Sequence, residues 1–129
     1  MGKEIRSFRD LEIWQRGIIL VKNVYKETQN FPKEEIYELT SQMRRAAIST
    51  PSNIAEGHIR QHRPEFKQFL SIALGSLAEL ETQIIISREL DYIPAETSER
   101  LVGQVNSLGK MIRSLIKKLT NLQSPIPNP

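Results

Sequence analysis

The chain contains no cysteine. That excludes disulfides and thiolate metal sites, and it fits a reducing, cytoplasmic setting. Aromatic residues are few: four Phe, three Tyr and one Trp among 129 residues. The core must therefore be aliphatic and rich in alanine. Long apolar runs are missing as well. The densest, Ile84-Ile85-Ile86, is far too short to span a bilayer. The opening MGKEIRSFRD is polar where a secretory signal would be apolar, so no membrane partner is expected.

Catalytic patterns are equally scarce. A carboxylate-bridged metal pair in a helical bundle needs Glu-x-x-His repeats. Neither His58 nor His62 has a glutamate three residues before it. No arginine precedes either histidine by the four-to-six-residue gap of bundle ribonucleases. There is no nucleophile elbow, no phosphate-cradling glycine loop and no zinc-protease motif. The expectation is a protein with no catalytic residues, no resident metal and no cofactor. The alternative is a small metal-binding or hydrolytic bundle using His58 and His62, whose four-residue spacing can hold one metal.

What the chain has is helical periodicity. Hydrophobic residues make up 39% and charged residues 26%, values of an ordinary globular domain. Ser7 and Asp10 form a capping-box-like start to a first helix over residues 8–29. Its predicted stripe is Leu11, Trp14, Ile18, Val21, Tyr25 and Thr28. A second helix is expected from Pro32 to Arg60, its stripe being Ile36, Leu39, Met43, Ala47, Thr50 and Ile54. Pro51 should kink it, and Gly57 should weaken its end. A third runs over residues 64–90, lined by Phe66, Phe69, Leu70, Ala73, Leu77, Leu80 and Ile84. A fourth spans residues 95–121, with Leu101, Val105, Leu108, Ile112, Leu115 and Leu119 inward. Short turns force antiparallel neighbours. The expected fold is all-α, a single up-down-up-down antiparallel four-helix bundle. Residues 1–7 form an extension, 8–121 the bundle, and 122–129 a flexible proline-rich tail.

Charge is missing where a surface helix should carry it. From Ser41 to Gly57 only Arg44, Arg45 and Glu56 are charged. Between Phe69 and Ser87 only Glu79 and Glu81 are. An amphipathic helix facing water shows a broad polar back. On the second helix Arg45, Ser49, Ser52 and Glu56 share one narrow band, flanked by Gln42 and Asn53. Tyr37, Ile48 and Ala55 mark another flank. The third carries Ile72, Gly75, Ser76, Glu79, Thr82 and Ile86 on its back. Two helices covered on more than one side imply an assembly surface. With the turn near residues 61–62, Arg45 lies level with Glu79 and Glu56 with Lys67. Arg45 and Glu79 are expected to pair, within or between subunits.

The net charge is +3. Basic residues gather in two places. Arg60, Arg63 and Lys67, with both histidines, surround the second turn. Lys110, Arg113, Lys117 and Lys118 lie on the fourth helix. Either group could bind nucleic acid, and repetition around a ring would multiply weak contacts.

In chain order, Phe8-Arg9-Asp10-Leu11, Ile13-Trp14, Phe31-Pro32, Leu39-Thr40, Arg44-Arg45-Ala46-Ala47, Asn53-Ile54-Ala55-Glu56-Gly57 and Gly75-Ser76 with Glu79 and Glu81-Thr82 resemble a bacterial four-helix-bundle family. It is the family named for the 23S rRNA intervening sequence, and the resemblance covers residues 8–120. It implies a cytoplasmic homo-oligomer, typically a pentamer. Relatives include the accessory variability determinant of diversity-generating retroelements. That protein works with a reverse transcriptase and binds nucleic acid. The resemblance thus implies RNA or DNA, and a reverse transcriptase or other protein, as partners. It brings no catalytic residues. Arg44, Arg45, Ser49, Asn53, Glu56, Gly75 and Glu79 are read as interface or buried polar-network positions.

Overall fold

The structure, a computed structural model, describes residues 4–123. Four helices follow in order: α1 (Glu12–Thr28), α2 (Leu39–Ile59), α3 (Arg63–Glu89) and α4 (Ala95–Gln123). Each packs on its chain neighbours, and α1 closes the square against α4. Among the described residues the diagonal pairs stay further apart, with no Cα atoms within 8 Å of each other. This is the antiparallel four-helix bundle expected from the short connections. The expected C-terminal tail lies outside the described residues, apart from the end of α4.

The ends of the helices differ from the periodic pattern for local reasons. Residues Phe8–Asp10 form a separate 3-10 turn, and Leu11 is extended before α1 begins. The Ser7 hydroxyl accepts from the Arg9 N–H at 3.1 Å, and Asp10 accepts from the Ser7 N–H at 3.2 Å. The amide of Gln15 donates to the Arg9 carbonyl at 2.8 Å, occupying an acceptor that the break leaves free. The chain before α2 likewise forms a 3-10 turn, Lys33–Glu35, so α2 starts at Leu39 rather than Pro32. Glu35 substitutes for a cap by accepting the Leu39 N–H at 3.3 Å.

Two residues other than glycine take the left-handed conformation that stops a helix. Gln61 (φ 54°) follows α2 and Asp91 (φ 62°) follows α3. At the second, the Asp91 N–H reaches the Arg88 carbonyl at 2.9 Å and Tyr92 N–H reaches that of Ser87 at 2.8 Å. That is the bond pair of a Schellman motif, built on aspartate.

The centre of the bundle is aliphatic. Leu20, Val24, Met43, Ala47, Ile54, Leu70, Leu80, Ile84, Leu101 and Ile112 are almost completely buried. The stripes expected for α2, α3 and α4 are largely those found, although Ile36 is exposed. The α1 stripe is not. Its buried residues are Ile13, Gly17, Leu20, Val24 and Thr28, while Tyr25 is exposed and Leu11, Trp14 and Val21 pack at the margin. The four consecutive aliphatics at 18–21 allow either phase. Gly17 decides it, because a Cβ there would lie only 3.1 Å from Pro51 Cβ of α2.

Neither suspected weak point interrupts α2. The helix is continuous through Pro51 and Gly57. Gly57 is a packing residue: a Cβ on it would meet Phe69 Cβ at 2.6 Å. The absent side chain lets α2 and α3 approach closely beside their turn. On length and composition alone α3 is apolar enough to cross a bilayer, with hydropathy 1.5. Here it is one wall of the bundle, packed against α2 and α4.

Candidate functional site: the outer face of α2 and α3

Helices α2 and α3 make the most extensive contact in the molecule. A short polar chain ties them midway. The Ser49 and Ser76 hydroxyls lie 2.8 Å apart. Asn53 donates to the Ser49 hydroxyl at 2.9 Å and to its carbonyl at 2.8 Å. Ser76 is buried and its hydroxyl also reaches the Ile72 carbonyl at 3.3 Å. These bonds satisfy the polar groups of the seam internally.

Outward of that seam the surface is poorly charged and open. Ile48 is 41% exposed, Ile72 45% and Ile86 40%. Gly75 is exposed too, and a Cβ there would meet nothing within 4 Å. Packing inside the chain therefore does not require glycine at 75, although an interior helical glycine costs about 0.5–1 kcal/mol. Arg45 and Glu79 line one shallow cleft of about 310 Å³ with Gln42, Ala46 and Ser49. Both side chains are exposed. The expected pair is not made within the chain: no Arg45–Glu79 ion pair occurs among the described residues.

Other expected site residues are placed differently. Arg44 is a tie within the bundle rather than part of this face. Its Nε donates to Thr28 Oγ1 at 3.0 Å and its guanidinium lies 4.4 Å from the Tyr25 ring centroid. Glu56 is exposed and meets Arg60 at 3.8 Å instead of Lys67. A bond absent from the sequence reading joins the bundle's opposite end: the Tyr92 hydroxyl donates to Glu35 at 2.7 Å. That bond, with the negative charge of Glu35, raises the Tyr92 pKa above its ordinary value.

The basic residues divide as well. Arg60 is committed to Glu65 at 3.3 Å and to Glu56, and it lies over the Phe69 ring at 5.2 Å. Arg63 donates to the Leu122 carbonyl at 3.4 Å, and Lys67 is half-buried. Lys110, Arg113, Lys117 and Lys118 are exposed along α4 and form no ion pair among the described residues. Arg113 folds over Gly109 and lines a small cleft with Glu81. His58 stacks edge-on against Phe66, and His62 contacts Glu65 at 3.4 Å. No group of three His, Asp or Glu able to hold a metal occurs among the described residues.

The comparisons agree with this architecture. Residues 9–114 match the family model described as 23S rRNA-intervening sequence protein. The chain belongs to this family. No curated protein matches it significantly. A crystal structure of a protein of unknown function from the S23 ribosomal protein family of Bacteroides thetaiotaomicron is similar in fold. Its TM-score is 0.73 at 24% identity, and the match covers 81% of this chain and 98% of that one. For this intervening-sequence family member, Ser49, Asn53 and Ser76 form the α2–α3 seam, and Arg44 ties α2 to α1. Arg45 and Glu79 lie in the cleft outside that seam.

Proposed function

We propose that this protein is a non-enzymatic scaffold that assembles with copies of itself through the outer faces of α2 and α3. The assembly would present the basic rows of α4 to RNA or DNA. The observation that carries the reading is the uncovered face itself. It combines exposed isoleucines, an exposed glycine with free space above it, and two opposite charges left unpaired in one cleft. Exposed apolar residues on a face this poor in charge mark a candidate interaction site. A second copy is the occupant that fits best, because α2 offers Arg45 and α3 offers Glu79, so the α2 side of one copy can meet the α3 side of the next and close a ring. The family resemblance implies a cytoplasmic pentamer.

Nucleic acid is the second part of the reading. On one chain, Lys110, Arg113, Lys117 and Lys118 are an ordinary solvated row. Repeated around an oligomer, the row multiplies phosphate contacts. The role that follows is accessory: holding nucleic acid for a processing partner, such as a reverse transcriptase. Electrophoretic mobility shift of structured RNA and of single-stranded DNA tests this. Retardation should weaken as salt rises and fall at least tenfold in Arg113→Glu/Lys117→Glu. Unchanged migration at low salt for every nucleic acid would remove this part and leave assembly standing.

A further inference from the structure

A second cleft, of about 370 Å³, opens where α2 turns into α3. We propose that it binds a nucleotide through both phosphate and base, either as a free nucleotide or as the 5′ end of a single strand. Its volume falls in the range of small-ligand sites. Arg6, Arg63, His58 and His62 all line it, while Glu65 meets His62 at 3.4 Å and Glu4 meets Arg6 at 3.6 Å from outside the lining.

The arginines are what set it apart from the other grooves. The cleft between α1 and α4 also holds two, Arg16 and Arg100. Those are neutralised by Glu12 at 3.3 Å and Glu27 at 2.6 Å. In the turn cleft, Arg63 gives one bond to a backbone carbonyl and meets no acid among the described residues. Four further N–H donors remain to its guanidinium. The Arg6 guanidinium meets Glu4 at 3.6 Å, with both side chains about 80% exposed, and the Arg6 backbone N–H donates to the Asp10 carboxylate at 2.8 Å. Such a pair is weak and readily exchanged for a phosphate, which arginine holds with two parallel bonds.

The same cleft has the means to hold a base. Phe66 is half-buried in its wall, with His58 edge-on at 5.6 Å between ring centroids. Aromatic and imidazole rings in a basic groove are the stacking elements used for single-stranded bases. Gln61, on the rim, carries an amide that can both donate to and accept from a base edge. Its left-handed backbone fixes where that side chain starts.

This inference rests on the nucleic-acid reading only for the source of the ligand. Neither assembly nor α4 enters it. The test is calorimetric titration of the full chain with adenosine 5′-monophosphate, adenosine, inorganic phosphate, and oligoadenylate with or without a 5′-phosphate. Saturable binding of the monophosphate is expected, with adenosine and phosphate each at least tenfold weaker. Arg6→Gln/Arg63→Gln should weaken it at least tenfold with unchanged helicity. Arg113→Glu/Lys117→Glu should leave it intact, which separates this site from the α4 rows. Tighter binding of the 5′-phosphorylated oligonucleotide than of the monophosphate assigns the site to strand ends. Equal or weaker binding assigns it to free nucleotides. No heat with any ligand, equal affinity for phosphate alone, or unchanged affinity in the arginine variant would overturn the proposal.

Discussion

Arg45 on α2 and Glu79 on α3 line the same shallow cleft, yet no ion pair joins them within the chain. In the proposed assembly, these opposite charges on a charge-poor face would be satisfied by a neighbouring copy. Reversing either one, Arg45→Glu or Glu79→Arg, should weaken self-association at least tenfold, roughly 1.4 kcal/mol. The double reversal should restore most of it. Sedimentation velocity over a concentration series reads this. Unchanged association in both single variants would place the interface elsewhere.

Two glycines should respond in opposite ways. Gly57→Ala forces a methyl to within 2.6 Å of Phe69 Cβ, so it should cost about 1–3 kcal/mol in urea unfolding. Gly75→Ala meets open space inside the chain and gains helix propensity, about 0.5–1 kcal/mol for the chain by itself. On the proposed interface the same methyl should hinder close approach and weaken association. A Gly75→Ala protein that associates as well as the parent would remove Gly75 from the interface.

The Tyr92–Glu35 bond predicts an alkaline effect. The folded-state pKa of Tyr92 is raised, with the hydrogen bond to Glu35 as its largest cause. The stabilisation is therefore fully present below the ordinary tyrosine value of about 10 and is lost as pH rises through the raised value. Thermal melts of the parent from pH 8 to 11 should show a decline above pH 10 that is shallower in Tyr92→Phe. Parallel curves for the two proteins would contradict this.

Gln83 is 5% exposed, and its Oε1 has no hydrogen-bond partner among the described residues. Replacing a buried unsatisfied polar group by an apolar one of similar shape is neutral or stabilising. Gln83→Met should change unfolding free energy by between zero and about 1 kcal/mol in the favourable direction. A loss above about 1 kcal/mol would show that the amide makes a bond that matters.

The bundle was legible in the chain because three helices carry unambiguous stripes: Met43 to Ile54, Leu70 to Ile84 and Leu101 to Leu119 all turn inward. The first helix was not. Its apolar residues fill adjacent positions, and its phase is set by a tertiary contact, Gly17 on Pro51. The late start of α2 was hidden for a related reason. Glu35 looks like a first-turn acid but acts as a side-chain cap, and the Tyr92 bond that holds it comes from a distant part of the chain.

For the candidate surface, charge scarcity singled out α2 and α3. On these two helices Ile48, Ile72, Gly75 and Ile86 are exposed. Individual roles were less readable. Arg44 and Arg45 are adjacent in sequence, but the 100° step between them puts one against Tyr25 and the other on the open face. The turn cleft needed Arg6 to fold back beside His58 and Arg63, which no spacing in the chain announces.

Self-assembly is the central claim, and the mass in solution tests it most directly. Size-exclusion chromatography with light scattering should give a multiple of the 14.8 kDa chain at micromolar concentration, five-fold on the family resemblance. Arg45→Glu should shift that mass downward. A single species of 14.8 kDa for the parent across the concentration range would contradict the account.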